Sequence, residues 1–233
     1  MKRFARITGT GSYLPPKIIT NFELEKKLDT SDEWITGRTG IKERRVVDGE
    51  STCDLALEAS KKALEMAKIS ASEIDLIILA TTTPDKIFPA TATLLQKRIG
   101  ANCPAFDLQA VCAGFVFALS TAQQYIENGV YNNVLVVGSE TMSRIVDWSD
   151  RSTAVLFGDG AGAVVLSQDN KTGIKFSKIH SDGSYLSALQ VNNNYINEAG
   201  YIEMTGNAVY KIAVNQLSNL AEEMLKECNL KSD

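Results

Sequence analysis

The sequence predicts an α/β fold, a mostly parallel sheet with helices on both faces, and three observations carry that expectation. Residues 74–80 (IDLIILA) and 134–138 (VLVVG) are continuous apolar runs of strand length, as expected for strands buried on both faces. Residues 52–68 and 112–127 instead repeat apolar side chains at helical spacing. The two element types alternate along the chain, which is the pattern of a parallel sheet with crossover helices. In such sheets reactive groups collect at strand ends and in the loops that follow them.

Taken in order, residues 4–8 form a short strand that ends at Gly9-Thr10-Gly11, and Pro15-Pro16 keep the next segment out of a helix. Asn21 is placed to cap a short helix to Leu28, and Thr30-Ser31-Asp32 to cap a second one carrying Glu33 and Trp34. Arg38, Lys42, Arg44 and Arg45 then cluster around Glu43. Beside an aromatic Trp34 they could hold a phosphate-bearing ligand with an aromatic base, but a solvated charged loop is the preferred local reading. A helix runs from Thr52 to Lys68 with Leu55, Ala59, Ala63 and Met66 near one face, and residues 91–99 are helical again.

The stretch 105–129, AFDLQAVCAGFVFALSTAQQYIENG, starts as a strand, breaks at Gln109-Ala110-Val111, and continues as a helix with Cys112 in its first turn. A thiol there faces unpaired backbone N–H groups and the positive end of the helix dipole, an arrangement that makes a nucleophile. Ala113 and Gly114 leave room for a substrate carbonyl to approach the backbone. The alternative is that Cys112 is a small core hydrophobe. After the strand at 134–138, residues 153–168 read as two apolar runs around Gly158, Gly160 and Gly162. Because strand-like residues 163–166 follow, FGDGAGA is a turn or bulge between strands rather than a phosphate cradle. Gly173 to His180 reads as one more strand, and His180, a lone histidine, as structural rather than basic in function. Residues 206–227 form a helix that echoes 52–68, but the chain stops where a strand like 74–80 should come next, so the sequence is expected to be incomplete.

The 233 residues are 44% hydrophobic and 22% charged, a globular composition, and the net charge of -4 disfavours bulk nucleic-acid binding. Four cysteines without a CxxC pair, together with one histidine, indicate neither a disulfide framework nor a structural metal site. The N-terminus has no apolar run long enough for a signal peptide or a membrane span, so a cytoplasmic protein is expected.

Several segments in one order resemble the beta-ketoacyl-acyl carrier protein synthase III family of the thiolase superfamily. They are ITGTGSYLPP, TSDEWITGRTGIKERR, AFDLQAVCAGFVFAL, DRSTAVLFGDGAGA, HSDGSYL and MTGNAVYKIAV, and they span essentially the whole chain. The resemblance implies a thiolase-like layered fold of two similar halves, residues 1–170 carrying the nucleophile and 171–233 beginning a second, truncated half. It implies an acyltransferase in which Cys112 takes an acyl group, usually acetyl, from coenzyme A, and malonyl-acyl carrier protein is then decarboxylated to attack the thioester. By motif position, Trp34 and Arg151 match a pair sandwiching the adenine of coenzyme A, and Arg38 and Asn207 match polar contacts to it. Phe88, Phe157, Leu189, Met204 and Gly206 match positions lining the acyl pocket or pantetheine tunnel. The family's catalytic histidine and asparagine match positions beyond residue 233. No tightly bound cofactor and no metal are implied; acyl-CoA is the substrate, acyl carrier protein the partner, and the assembly a homodimer. A basic docking surface is expected against the acidic carrier protein, and Lys211 is a candidate for it. A thiolase-fold synthase of another pathway and a silent CoA-binding fragment are the alternatives.

Overall fold

In the computed structural model, which describes residues 2–192 and 200–232, the chain divides into two compact units. One takes residues 1–18, 45–142 and 158–179; the other takes 19–44, 143–157 and 180–233. In chain order the elements to the middle of the protein are β1 (Phe4–Tyr13), β2 (Lys17–Thr20), α1 (Asn21–Glu25), α2 (Asp32–Thr39), β3 (Glu43–Val46), α3 (Thr52–Ala67), β4 (Leu76–Ala80), α4 (Thr91–Ile99) and β5 (Ala105–Leu108). The remainder are α5 (Gly114–Glu127), β6 (Asn133–Thr141), α6 (Arg151–Ala154), β7 (Asp159–Asp169), β8 (Leu189–Val191), β9 (Ile202–Met204) and α7 (Gly206–Glu227).

The first unit is built on a five-stranded sheet of order β1-β7-β6-β4-β5. Its side chains alternate between two cores. Ile77, Leu79, Leu135, Val137 and Val165 face α3 and α4, whereas Leu76, Ile78, Val134, Val136 and Leu166 face Ala118, Ala122 and Ile126 of α5. All five residues of β4 are buried, which explains their continuous apolar run. Each large aliphatic side chain buried in this way contributes about 1.5–3 kcal/mol.

Four expectations about the strands are corrected here. The sheet is mixed rather than mostly parallel: β4 runs parallel to β5 and β6, but β7 is antiparallel to both β6 and β1. Gly160 and Gly162 lie inside β7 rather than in a turn, and the preceding run is not a strand: Thr153 and Ala154 end α6, which the Asp150 carboxylate caps on Ser152 N–H, and residues 155–158 turn into β7. Gly9 and Gly11 do not end β1 either. A Cβ on Gly9 would sit 2.1 Å from the Ala63 carbonyl oxygen and one on Gly11 2.1 Å from that of Ala59, so the strand continues across the α3 backbone at a distance only glycine allows. The segment from Gly173 to His180 is not a strand. Ile174 N–H reaches Ala5 O of β1 at 2.9 Å, a single bond rather than a ladder.

In the second unit Leu24, Ile35 and Val155 form a small core with Trp34, Trp148 and Ile41 against it. Thr20, not Asn21, caps α1 through a capping box with Glu23. Asn21 is fully buried, and its amide donates to Asp32 Oδ1 and Ile41 O while its Oδ1 accepts from Arg44. Arg44 is 5% exposed and also donates to Ile19 O and Val155 O. It therefore belongs neither to a solvated loop nor to a phosphate-holding cluster. Its fork joins the 19–21 segment to Val155 through three acceptors, which is the use that suits a buried guanidinium. Further along, β8 pairs antiparallel with β9, and α7 begins two residues after β9.

Candidate active site

In the first unit β5 ends at Leu108, and the chain turns through residues 109–113 before α5 begins. Cys112 stands in this turn, within the short 3₁₀ segment Val111–Ala113, one residue ahead of the N-cap of α5. It thus precedes α5 rather than lying in its first turn, and it is exposed, which removes the reading of it as a core side chain. The turn is held by Ala113 N–H on Ala110 O at 3.1 Å and by Gly114 N–H on Val111 O. Val111 has φ 48°, a left-handed backbone that a β-branched residue rarely adopts. Such a residue persists only where its surroundings over-determine it, at a cost of order 1–3 kcal/mol. No side chain caps α5, so the N-terminal end of its dipole is left to groups at the turn.

The other cysteines differ in environment. Cys53 and Cys103 are buried, and loss of solvation pushes both thiols above their ordinary range; Arg98 opposes this at Cys53. Cys228 is half-buried after the end of α7. Only Cys112 combines exposure with a strained turn.

Two carboxylates, Asp107 near the end of β5 and Asp85 in the loop after β4, cap helix starts nearby. Asp107 of β5 accepts from Thr91 and Ala92 N–H of α4, both at 2.7 Å, and Asp85 accepts from Thr52 and Cys53 N–H of α3, both at 2.9 Å. Burial pushes the Asp107 carboxyl above the usual range, although its two backbone donors pull the other way. These anchors were not singled out in the sequence, where the aspartates carry no local signal beyond their position near a helix start. Phe88, in the loop before α4, is 82% exposed.

In the second unit the structure brings Trp34, Arg38 and Arg151 together. The guanidinium carbons of Arg38 and Arg151 lie 4.7 and 5.0 Å from the centroid of the half-buried Trp34 ring. Ser31, as predicted, caps α2 by accepting from Trp34 N–H, which orients the indole; Arg38 stands four residues further along the same helix. Arg151 is tied down by donating to Asp29 O at 2.8 Å. Arg151 thus lies against the indole, where cation–π attraction and the Asp29 anchor hold it.

Leu189 and Met204 face each other in the β8–β9 ladder, and Gly206 and Asn207 open α7 directly after it. A Cβ on Gly206 would lie 3.7 Å from Met204 Cε. Phe157 is half-buried after α6, and Lys211 is exposed on α7. His180 is exposed, in an irregular segment rather than a strand, with Nε2 3.0 Å from Glu223. Among the described residues no group of three His, Cys, Asp or Glu side chains is gathered for a metal, and no helix is long and apolar enough to cross a membrane.

Comparison with known proteins gives consistent likenesses. Residues 106–183 match the model of the 3-oxoacyl-[acyl-carrier-protein] synthase III family. The chain is 69% identical to the beta-ketoacyl-[acyl-carrier-protein] synthase III of Vesicomyosocius okutanii over 233 residues, all of this chain and 74% of that protein. It is 53% identical to the enzyme of that name from Neisseria gonorrhoeae, over 97% of this chain and 72% of the other. Among solved structures, 3-oxoacyl-[acyl-carrier-protein] synthase III from Aquifex aeolicus superposes with a TM-score of 0.93 at 47% identity, covering 97% of this chain and 73% of that one. The priming beta-ketosynthase of the R1128 polyketide pathway superposes with a TM-score of 0.91 at 34% identity, covering 99% and 72%.

Proposed function

The chain belongs to the beta-ketoacyl-[acyl-carrier-protein] synthase III family, and from that membership we propose that Cys112 is the residue that carries the acyl group. Members condense an acyl-CoA with malonyl-acyl carrier protein to initiate fatty-acid biosynthesis, and this protein is an acyltransferase of that kind with a thiolase-like fold. The observation that supports the assignment is the exposed thiol of Cys112 on the strained turn ahead of the uncapped α5.

In the proposed sequence the Cys112 sulfur, as thiolate, attacks the thioester carbonyl of the acyl-CoA. The new C–S bond forms, the C–S bond to coenzyme A breaks, and coenzyme A leaves as its thiol after taking up a proton. Malonyl-acyl carrier protein then loses carbon dioxide, and the carbanion it leaves attacks the acyl-cysteine carbonyl, returning Cys112 as thiolate. Splitting the condensation in this way replaces one difficult step with two easier ones. His180 is not assigned the decarboxylation step.

The remaining roles follow the same reading. Trp34, Arg38 and Arg151 receive the nucleotide end of coenzyme A, where a base that stacks on the indole displaces a guanidinium from its face. Asn207 adds a polar contact, and Phe88, Phe157, Leu189, Met204 and Gly206 line the path of the acyl group or the pantetheine. The reading includes acetyl-CoA as the preferred donor, no tightly bound cofactor, a homodimer in the cytoplasm, a docking surface for acyl carrier protein that includes Lys211, and a division near residue 170 into two thiolase-like parts.

Intact-mass measurement before and after incubation with acetyl-CoA tests the assignment. One added acetyl group that maps to Cys112, and is lost in Cys112→Ala while coenzyme A still binds, is the expected result; an adduct elsewhere, or none, removes it. A second reading, the same chemistry priming a polyketide, is favoured by the likeness to the R1128 ketosynthase. A preference for longer or branched acyl-CoA over acetyl-CoA in the same experiment would select it.

A further inference from the structure

We propose that Glu140 is a positioning residue for Cys112, holding the strand ends on which the nucleophile's turn is seated. The proposal rests on the reading of Cys112 as the acyl-bearing nucleophile. Glu140 stands near the end of β6, beside the end of β4. Its Oε1 accepts from Thr82 N–H at 2.8 Å and Thr82 Oγ1 at 2.6 Å. Its Oε2 accepts from Thr83 N–H at 3.1 Å, from Thr81 Oγ1 at 3.3 Å and from Thr83 Oγ1. Five donors from three consecutive residues thus converge on one carboxylate, and charge-assisted bonds of this kind are the strong ones. Thr83 Oγ1 in turn accepts from Thr141 N–H at 2.8 Å, which closes the clamp across the two strands.

Both ends of the Cys112 turn rest on the clamped segment. Ahead of the turn, Thr81 N–H donates to Leu108 O, the last residue of β5, at 3.2 Å. Behind it, Gly114 packs on Ala80 so closely that a Cβ there would lie 3.2 Å from the Ala80 side chain. Phe115, next along α5, packs over Gly138, two residues before Glu140; a Cβ on Gly138 would meet its ring at 3.3 Å. A shift of β4 against β6 would therefore move Leu108, Gly114 and Phe115 together, and with them the strained Val111–Cys112 pair. The carboxylate does not reach the thiol; it acts through the backbone beneath it. Removing one of its oxygens as an acceptor loosens Thr82 or Thr83 and lets that platform relax.

The test compares two reactions of the same thiol in Glu140→Gln: acetylation by acetyl-CoA, which needs the sulfur correctly placed, and alkylation by iodoacetamide, which does not. The acetylation kcat is expected to fall about tenfold, since misplacement by an ångström costs up to about a hundredfold. KM for acetyl-CoA and the alkylation rate are expected to stay within about twofold of the unaltered protein. Thr82→Val, which removes one bond to Oε1, is expected to lower kcat about threefold, and the double variant to be little worse than Glu140→Gln alone. Unchanged acetylation in a folded Glu140→Gln overturns the proposal, as does an equal fall in both rates together with a lower melting temperature, which marks a merely structural role. If Glu140→Gln does not fold, Thr82→Val decides alone, and an unaltered kcat overturns the proposal. Failure of the unaltered protein to acetylate Cys112 would instead overturn the reading beneath it.

Discussion

Residue identity decides most at the two places where a side chain meets unusual surroundings. At Cys112 the chemistry of a thiol was visible in the sequence, but its exposure was not, because a break of three residues between strand and helix leaves open whether the thiol faces core or solvent. In the folded chain Val111 enters the left-handed region and the thiol beside it is exposed. At Trp34 the sequence suggested an aromatic beside the cations of residues 38–45, and of these Arg38 lies on the ring, joined there by Arg151 from a distant segment. Arg44 does not, because its guanidinium is consumed by Asn21, Ile19 and Val155 inside the unit. Trp34→Ala is expected to weaken coenzyme A binding about tenfold, from a stacking and cation–π contribution of roughly 1–2 kcal/mol. Calorimetric titration of coenzyme A into a Cys112→Ala background would show this, and an unchanged Kd would remove Trp34 from the cofactor contacts.

Elements were legible where one physical signal dominates. Residues 206–227 and 52–67 fold as helices within a residue of their predicted bounds, since long stretches of period 3.6 have no competing reading. Short runs were less secure. The sequence ended β1 at its glycines, which read locally as turn formers, whereas the strand needs them for its approach to α3. Gly9→Ala is therefore expected to cost about 3 kcal/mol or more, because the new methyl would meet the Ala63 carbonyl in a helix that cannot move away without opening the core. Urea unfolding measures it; a loss below about 1 kcal/mol would mean that strand and helix slide past each other freely. The segment 173–180 failed for a related reason: Ile174 and Phe176 alternate as in a strand, but Ile174 N–H on Ala5 O is a single bond and no ladder with β1 follows.

Across the whole molecule, the response to pH follows from which thiols are buried. Cys53 and Cys103 hold their protons in the folded protein beyond the ordinary thiol range, because burial disfavours the thiolate. Unfolding restores the ordinary value near 8.5, so above that pH the unfolded chain releases protons that the folded one keeps, and stability falls as pH rises. Unfolding free energy is expected to drop between pH 7.5 and 9.5, by up to about 1.4 kcal/mol per thiol per pH unit, and Cys103→Ala to flatten that slope. Equal slopes in the two proteins would show that Cys103 is not shielded. The sequence by itself determined the α/β class, the helices of clear periodicity, the family resemblance and the identity of Cys112 as a candidate nucleophile, because each is written in local pattern or in motifs met in order. The tertiary structure alone decided that the sheet is mixed, that Cys112 is exposed, that Arg44 is buried, and that Glu140 gathers Thr81, Thr82 and Thr83. Each of those depends on partners distant in sequence, and strand direction, burial and hydrogen-bond geometry exist only once those partners meet.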